Sequence, residues 1–475
     1  MNDNNDSFFE EEGLFESIDR FEEMVNRNNS CYFDVYQFEN IVDYYLDQHN
    51  FRNAIAAIER GLKQHPYSSS LKLRLAQIFI QNGKPSKGIR CLREIEPVEG
   101  SNCELYLLKG SALNVLGRKE EAHIAFDMAI KLAIDNKDDI ILNIACSYLN
   151  TRRYNLAIKY LKLAHDINPK NLSVLYELAL VYEKMDLLDK SIEYYKKYLD
   201  IDPYAEHIWF NLGMVYSSRE EFNKSIGAYD FAIAICPDYI SAYFSKANIL
   251  VNREQYHEAI NTYEQIIDLE PDNMQAYAYI GECYDKLGMH RRAIYYYRKA
   301  LMVDRSFGDA WYGLGMAYYN MQDYTISLEL FKQANLSDPE NPDYWYMLGE
   351  AYRKLDQLER SAESYNRAVE LDPNDFEAWL SHADIFFIEN NLSEAISILK
   401  KAYEYNKDIS AINYNLAAYY LFDNQPKMAE KYFERGLLIN FGEHHELFDK
   451  FPEFSGNKLF TKLIRKYKNN LSGKL

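Results

Sequence analysis

The chain has 475 residues, 48% of them hydrophobic and 26% charged, with a formal net charge of −19 and a pI near 5.1. Such an acidic balance argues against a nucleic-acid surface, which needs a basic stripe to hold phosphates, and no window of about 18 apolar residues offers a membrane span. The six cysteines, at 31, 91, 103, 146, 236 and 283, include no close pair of metal-ligand spacing and read as thiols of a reducing, cytoplasmic compartment.

Residues 1–34 form an acidic N-terminal segment. Residues 1–23 carry nine acids against Arg20 alone, a net charge of −8. The first residues lack a basic and then apolar stretch, so no secretory leader is expected. Met1 to Glu12 has only Phe8 and Phe9 to bury and is expected to be disordered. Leu14, Ile18, Phe21 and Val25 sit at helical spacing and predict a lead-in helix near residues 14–27.

From residue 35 the sequence repeats. Pro169, Pro203, Pro237, Pro271, Pro339 and Pro373 are spaced by 34 residues, or by 68 for the pair that spans one missing member. With the first residue of each period as position 1, the period from Glu206 places Trp209, Leu212, Gly213 and Tyr216 at positions 4, 7, 8 and 11. The same period puts Ser225, Tyr229, Ala232 and Pro237 at positions 20, 24, 27 and 32. The period from Pro342 gives Trp345, Leu348, Gly349, Tyr352, Ser361, Tyr365, Ala368 and Pro373 at those positions. Spacings of 3, 4 and 7 put each set on one helical stripe, which predicts two helices per period. Small residues at positions 8 and 20 allow close backbone approach, and Pro near position 32 ends the second helix.

Twelve repeats start at 35, 69, 103, 138, 172, 206, 240, 274, 308, 342, 376 and 410, and the array covers residues 35–443. Only the repeat from Cys103 to Lys137 is a residue longer than the rest. Arg305 and Lys407 stand where Pro is expected, Val42 replaces the small residue of the first repeat, and Gly61 and Gly436 occupy position 27. Pro97 is expected to end its helix early, while Pro85 and Pro426 fall in the first turn of a second helix, where a missing N–H costs nothing. The last segment, 444–475, is basic, with a net charge of +4. Within it Leu459, Leu463, Ile464 and Tyr467 form an apolar stripe against five bases, which predicts an amphipathic helix over 457–469 capping Tyr432, Phe433 and Leu437.

This pattern resembles the tetratricopeptide repeat (TPR) family, with its Trp-Leu-Gly-Tyr first helix, its Ala-rich second helix and its closing Pro. The likeness covers 35–443 and is to multi-repeat solenoids of bacterial type, in keeping with heavy use of Tyr, Asn, Lys and Ile. It implies an all-α fold: an α-solenoid, wound as a right-handed superhelix of about twelve helix-turn-helix repeats. A pentatricopeptide RNA-binding array, of period about 35, fits the stripe, the Pro endings and the charge less well.

No motif for chemistry stands out. Gly83-Lys84-Pro85 lacks the hydroxyl and first Gly of a phosphate loop, and Gly313-Leu-Gly315 lacks the third Gly of a dinucleotide fingerprint. His444 and His445 beside Glu443 and Glu446 are better explained by a surface turn than by a metal. The expectation is a non-enzyme without cofactor or metal.

The resemblance implies that positions 2, 5, 9, 12 and 13 of the first helices line a concave groove. Repeats five to seven then present an apolar floor of Tyr176, Leu180, Phe210, Met214 and Phe244. Repeats eight to eleven present an acidic strip: Glu282, Asp285, Asp309, Asp343, Glu350, Glu377 and Asp384, with Tyr312, Met316 and Tyr346 between them. Lys286, Arg353 and Lys354 are the only bases there, leaving the strip at net −4. Such a strip suits a basic or amphipathic segment of a protein partner. An aromatic at position 5 also packs within its own repeat in this family. The expectation is therefore a scaffold or adaptor that binds protein segments. The alternative is a regulatory receptor for a short peptide or small ligand, favoured by an isolated pocket with buried polar side chains.

Overall fold

The computed structural model describes residues 17–25, 31–48 and 50–472, with side chains as far as Lys468. The stretch Met1–Glu12, and with it Leu14 and the rest of the expected lead-in helix outside 17–25, lies outside the described residues. Among those described, every regular element is a helix. From Val35 to Ile439 the helices alternate as hairpins, the first helices opening at Val35, Ser69, Cys103, Lys137, Leu172, Glu206, Ile240, Met274, Gly308, Pro342, Phe376 and Ser410. The chain divides between Cys236 and Pro237 into two units with six hairpins in each.

Four local devices recur, and each has a physical cause. Small residues at position 8 make room for the ring at position 24. A β-carbon built on Gly213 would lie 2.6 Å from the Tyr229 ring, and one on Gly349 2.8 Å from the Tyr365 ring, well inside van der Waals contact. The serine at position 20 ties the same crossing together, Ser225 Oγ donating to Gly213 O at 2.7 Å and Ser361 Oγ to Gly349 O at 2.8 Å. Because both partners are buried, leaving that carbonyl unpaired would be costly.

The aromatic at position 4 reaches back across the turn. Trp209, Trp345 and Trp379 donate their indole N–H to the carbonyls of Pro203, Pro339 and Pro373, and the Tyr243 and Tyr277 hydroxyls do so to Pro237 and Pro271. Arg305 stands in a proline position, yet its carbonyl accepts from Trp311 at 2.8 Å. The backbone, not the proline ring, is what position 4 reads.

The turn inside each hairpin from the second to the twelfth passes through a left-handed residue at position 15. Gly83, Gly117 and Gly288 take it at no steric cost, but Arg152, Asp186, Glu220, Glu254, Gln322, Asp356, Asn390 and Asn424 take it too, at φ between 55° and 60° except Gln322 at 64°. A fourth device links positions 11 and 23, where tyrosines stack in the pairs Tyr148–Tyr160, Tyr182–Tyr194, Tyr284–Tyr296 and Tyr420–Tyr432 at 5.4–5.6 Å.

Departures from regularity have local reasons. The second helix of the second repeat is Pro85–Ile95, 11 residues long, and stops before Pro97. The extra residue of the third repeat is taken up before Lys137, where Asn136 is left-handed at φ 52°. In the lead-in helix, 17–25, Ile18 and Phe21 are buried as the spacing predicts, but Met24 takes the place expected of Val25, which is 39% exposed. Phe21 meets Phe33 and Phe38 edge-on at 6.2 and 6.3 Å.

Beyond Ile439 the chain forms a short helix, His444–Lys450, a 3-10 turn, Pro452–Phe454, and a final helix, Lys458–Ser472. The final helix packs on the last repeat. Phe460 stacks on Phe433 at 4.0 Å, Leu463 is buried, and Glu434 accepts from both Lys466 and Tyr467. His444 is 4% exposed and bonds through Nδ1 to the Phe441 carbonyl, so it is a buried group rather than part of a surface turn.

Candidate ligand face on the first helices

Within the second unit, first helices of successive repeats touch: Met274–Lys286 packs on Gly308–Asn320, and Phe376–Ile388 on Ser410–Phe422. They form one face on which the acidic residues of repeats eight to eleven are distributed. Those acids fall into two groups.

Glu282, Asp343 and Glu377 are exposed and make no side-chain hydrogen bond or ion pair among the described residues. The others are engaged. Asp309 is exposed but accepts from the Tyr344 hydroxyl at 2.5 Å. Asp285 holds His290 Nδ1 at 2.7 Å, and burial raises its carboxyl above the usual range despite that partner. Glu350 is 8% exposed and accepts from Tyr365 at 2.5 Å, Tyr319 at 3.1 Å and Arg353 at 2.6 Å. Burial alone would raise its pKa, but these bonds together hold it below the ordinary carboxylate value. Of Asp309, Asp343 and Glu350, only Asp343 could be reversed to lysine without breaking a bond made by its carboxylate. A lysine at 350 would put a second cation beside Arg353 and leave two tyrosine hydroxyls unpaired.

The aromatics of the face are half-buried and lean on their own repeats. Tyr176, Phe210, Phe244, Tyr312 and Tyr346 lie 5.6–6.5 Å from the position-24 rings Tyr195, Tyr229, Tyr263, Phe331 and Tyr365. Tyr312 also stacks on Tyr344 at 5.3 Å, and burial, with Asp343 next, pushes its hydroxyl up to about 12. Met316 is half-buried beside the core of its repeat, and Met214 is 43% exposed. Tyr176, Phe210 and Met214 belong to the first unit and Phe244 to the second.

Asp384 is where the strip already holds a cation. Lys450, in the short helix after the last repeat, places its ammonium 2.8 and 2.7 Å from the two Asp384 oxygens and 2.8 Å from Asn415 Oδ1. The Tyr419 hydroxyl donates to the same carboxylate. The next residue, Phe451, is 4% exposed and packs edge-on against Phe387, Tyr419 and Phe422 at 5.5–6.1 Å. A lysine and an adjacent aromatic thus sit on the first-helix face of repeats eleven and twelve. The sequence offered a signal for this contact in Phe448, Phe451 and Phe454, spaced by three.

Among the described residues no group of three or more His, Cys, Asp or Glu is placed to hold a metal ion, and no helix is long and apolar enough to cross a membrane.

Comparison with known proteins gives a consistent family. One tetratricopeptide repeat profile matches residues 40–95, 244–310, 312–376 and 354–409, and another matches 138–171 and 172–204. The chain is 26% identical over 151 residues to Tetratricopeptide repeat protein 21B of Homo sapiens, an alignment covering 31% of this chain and 11% of that protein. The chain thus spans about a tenth of the length of this curated relative. Among solved structures, YrrB, described as a TPR protein with an unusual peptide-binding site, is 26% identical, with a TM-score of 0.34, covering 40% of this chain and 97% of its own. Yeast Tom70 is 16% identical, with a TM-score of 0.43, covering 90% of this chain and 98% of its own.

Proposed function

We propose, from the premise that this chain belongs to the tetratricopeptide repeat family, that it is a protein-interaction scaffold whose first-helix face holds basic, amphipathic segments of partner proteins. The observation that carries this reading is the seat of Lys450 and Phe451. A carboxylate and an amide side chain take the ammonium while an aromatic cluster takes the neighbouring ring. The same kinds of group stand in repeats ten and eleven at Asp343, Tyr346 and Glu377, where no described segment of the chain covers them. A segment with a Lys or Arg beside an aromatic would find both halves of that contact there. Tetratricopeptide repeats generally serve as non-enzymatic scaffolds, and no step of chemistry is assigned to these residues. The chain is expected to work in the cytoplasm.

The test is fluorescence anisotropy of a labelled peptide containing Lys-Phe pairs on the full chain, compared with the Asp343→Lys/Glu377→Lys variant. Affinity should drop at least tenfold in the variant and fall as salt rises, since exposed charges are screened within about 8–10 Å at physiological ionic strength. Equal affinity for both proteins would remove the first-helix face of these repeats as the site.

A further inference from the structure

Among the second helices of the repeats, only His290–Val303, in the eighth, carries no acid. Arg291, Arg292, Arg298 and Lys299 give it a net charge of +4 with its histidine neutral, in a chain of net −19. None of the four forms an ion pair among the described residues, whereas Arg118, Arg219, Arg353 and Arg367 each meet a carboxylate within 3.3 Å. Their contacts are with tyrosines instead. Arg292 lies over the Tyr284 ring at 5.5 Å, Lys299 lies over the Tyr295 ring at 5.7 Å, and Arg298 donates to the Tyr318 hydroxyl at 3.1 Å. Even Glu264, on the preceding second helix, accepts from Tyr296 and not from a base. Arg291, Arg292 and Arg298 are exposed, so this positive face meets solvent without a carboxylate to balance it.

At the start of this helix two of the same arginines border apolar surface. A shallow hollow of about 340 Å³ lies at the turn before His290 and is lined by Met289, Arg291, Arg292 and Met321. Met289 and Met321 are 39% and 43% exposed. Methionine adapts its shape to an aromatic ring and makes favourable sulfur contacts with it. Methionines with arginines at their rim suit an aromatic side chain that has carboxylates next to it in sequence. One segment of this chain has that order. Residues 1–16 carry Asp3, Asp6, Glu10, Glu11, Glu12 and Glu16 and no base, and Phe8-Phe9 runs directly into Glu10-Glu11-Glu12.

We propose that the basic face of the eighth repeat is the docking site for the acidic N-terminal segment of a second copy of this chain. Phe9 fills the methionine hollow, and Glu10 to Glu12 meet Arg291 and Arg292. In each copy the segment runs into the lead-in helix, whose Ile18 and Phe21 are buried against the first repeat, seven repeats from the face along the sequence. The contact thus joins two different patches, the segment of one copy and the eighth repeat of the next. Such a head-to-tail contact leaves one segment and one face unused at the ends, so copies add in a row unless the row closes into a ring.

Sedimentation velocity of the full chain should show a mass that rises with protein concentration and falls with added salt. Arg291→Glu/Arg292→Glu, which keeps the segment, and Phe8→Ala/Phe9→Ala, which keeps the face, should each stay monomeric. Mixed, the two should form a one-to-one complex and nothing longer, since one supplies the segment and the other the face. A labelled peptide of residues 1–16 should bind the Phe8→Ala/Phe9→Ala chain about tenfold or more tightly than it binds the arginine variant, as expected for lost charge-assisted contacts. If the arginine variant fails to fold, dissociation of the unsubstituted oligomer by excess peptide carries the test. Oligomers that survive either substitution, or peptide binding that ignores the arginines, would overturn the assignment. So would a full chain that is monomeric at every concentration; peptide uptake by the Phe8→Ala/Phe9→Ala chain alone would then return the segment to its own copy.

Discussion

Lys450 reaches back 66 residues to bond both oxygens of Asp384, 2.8 and 2.7 Å away, and so fixes the segment after the last repeat onto the first-helix face of the eleventh. Both side chains are about one-third exposed, so solvent screens part of the attraction. A double-mutant cycle on Lys450→Ala and Asp384→Ala should return a coupling of about 1 kcal/mol in chemical denaturation. Additive effects would mean that Phe451 alone seats the segment.

Glu350 and Asp343 separate structural from recognition roles. Glu350→Lys should destabilise by about 3–5 kcal/mol, because it breaks a buried ion pair and orphans two tyrosine hydroxyls. Asp343→Lys should stay within about 0.5 kcal/mol of the parent, as expected for an exposed residue. Urea midpoints on the two variants decide this, and equal destabilisation would show that exposure is no guide to role on this face.

Gly313 and Gly281 clasp the ring of Tyr297 from two successive repeats, with β-carbon positions 2.3 and 2.9 Å from its edge. Tyr297 is 4% exposed and has nowhere to retreat. Gly313→Ala should therefore cost about 1–3 kcal/mol despite the better helix propensity of alanine. A thermal melt at or above that of the parent would refute the clasp.

Glu254 holds a left-handed conformation at φ 59° in the turn of its hairpin. Replacing it by glycine removes steric strain of about 1–2 kcal/mol but adds unfolded-state entropy of roughly half that. The expected net gain is about 0.5 kcal/mol, whereas Gly288→Ala at the equivalent turn should lose about 1 kcal/mol. Matched melting curves of the two variants test both signs.

His382 predicts acid sensitivity. Burial, with Lys401 second, lowers its folded pKa from 6.5 to about 4. The unfolded chain therefore binds more protons in that interval, and the stability present above about pH 6.5 is lost as pH falls towards 4. The carboxylates of Glu359, Glu363, Glu389 and Glu394 stand around the same hollow between the tenth and eleventh repeats. Between pH 6.5 and 4.5 the parent should lose roughly 2–3 kcal/mol more than His382→Leu does. Parallel stability–pH curves would place the proton on the folded-state imidazole at no extra cost.

The helical hairpins were legible because their cores repeat: the stripe of positions 4, 7, 8 and 11 needs only side-chain size and period. The left-handed turn was not, because eight of its described occupants are Arg, Asp, Glu, Gln or Asn, and among them only Gly83, Gly117 and Gly288 advertise it. Glu350 looks in sequence like Glu282, since both are acids at position 9. What distinguishes them is three-dimensional: Tyr365 and Arg353 converge on Glu350, whereas the equivalent Tyr297 beneath Glu282 makes no bond to it. Phe460, the most buried ring of the final helix, was missed because the stripe drawn through Leu459 and Leu463 treats it as an off-centre neighbour.

The bond from position 4 to the preceding turn gives the chain a fixed unit of editing. Trp209 finds the Pro203 carbonyl, and Trp345 the Pro339 carbonyl, at the same six-residue reach. Splicing a whole 34-residue cassette in or out leaves each ring facing a carbonyl at that reach, whereas a single-residue slip at the turn leaves it facing none. The third repeat is one residue longer than the others, and the position-4 residue that follows it, Ile141, carries no donor, as Leu175 in the next repeat also does not. Lengthening or shortening this protein without damage is thus a matter of whole cassettes, with single-residue changes tolerated only at a junction that has given up its ring.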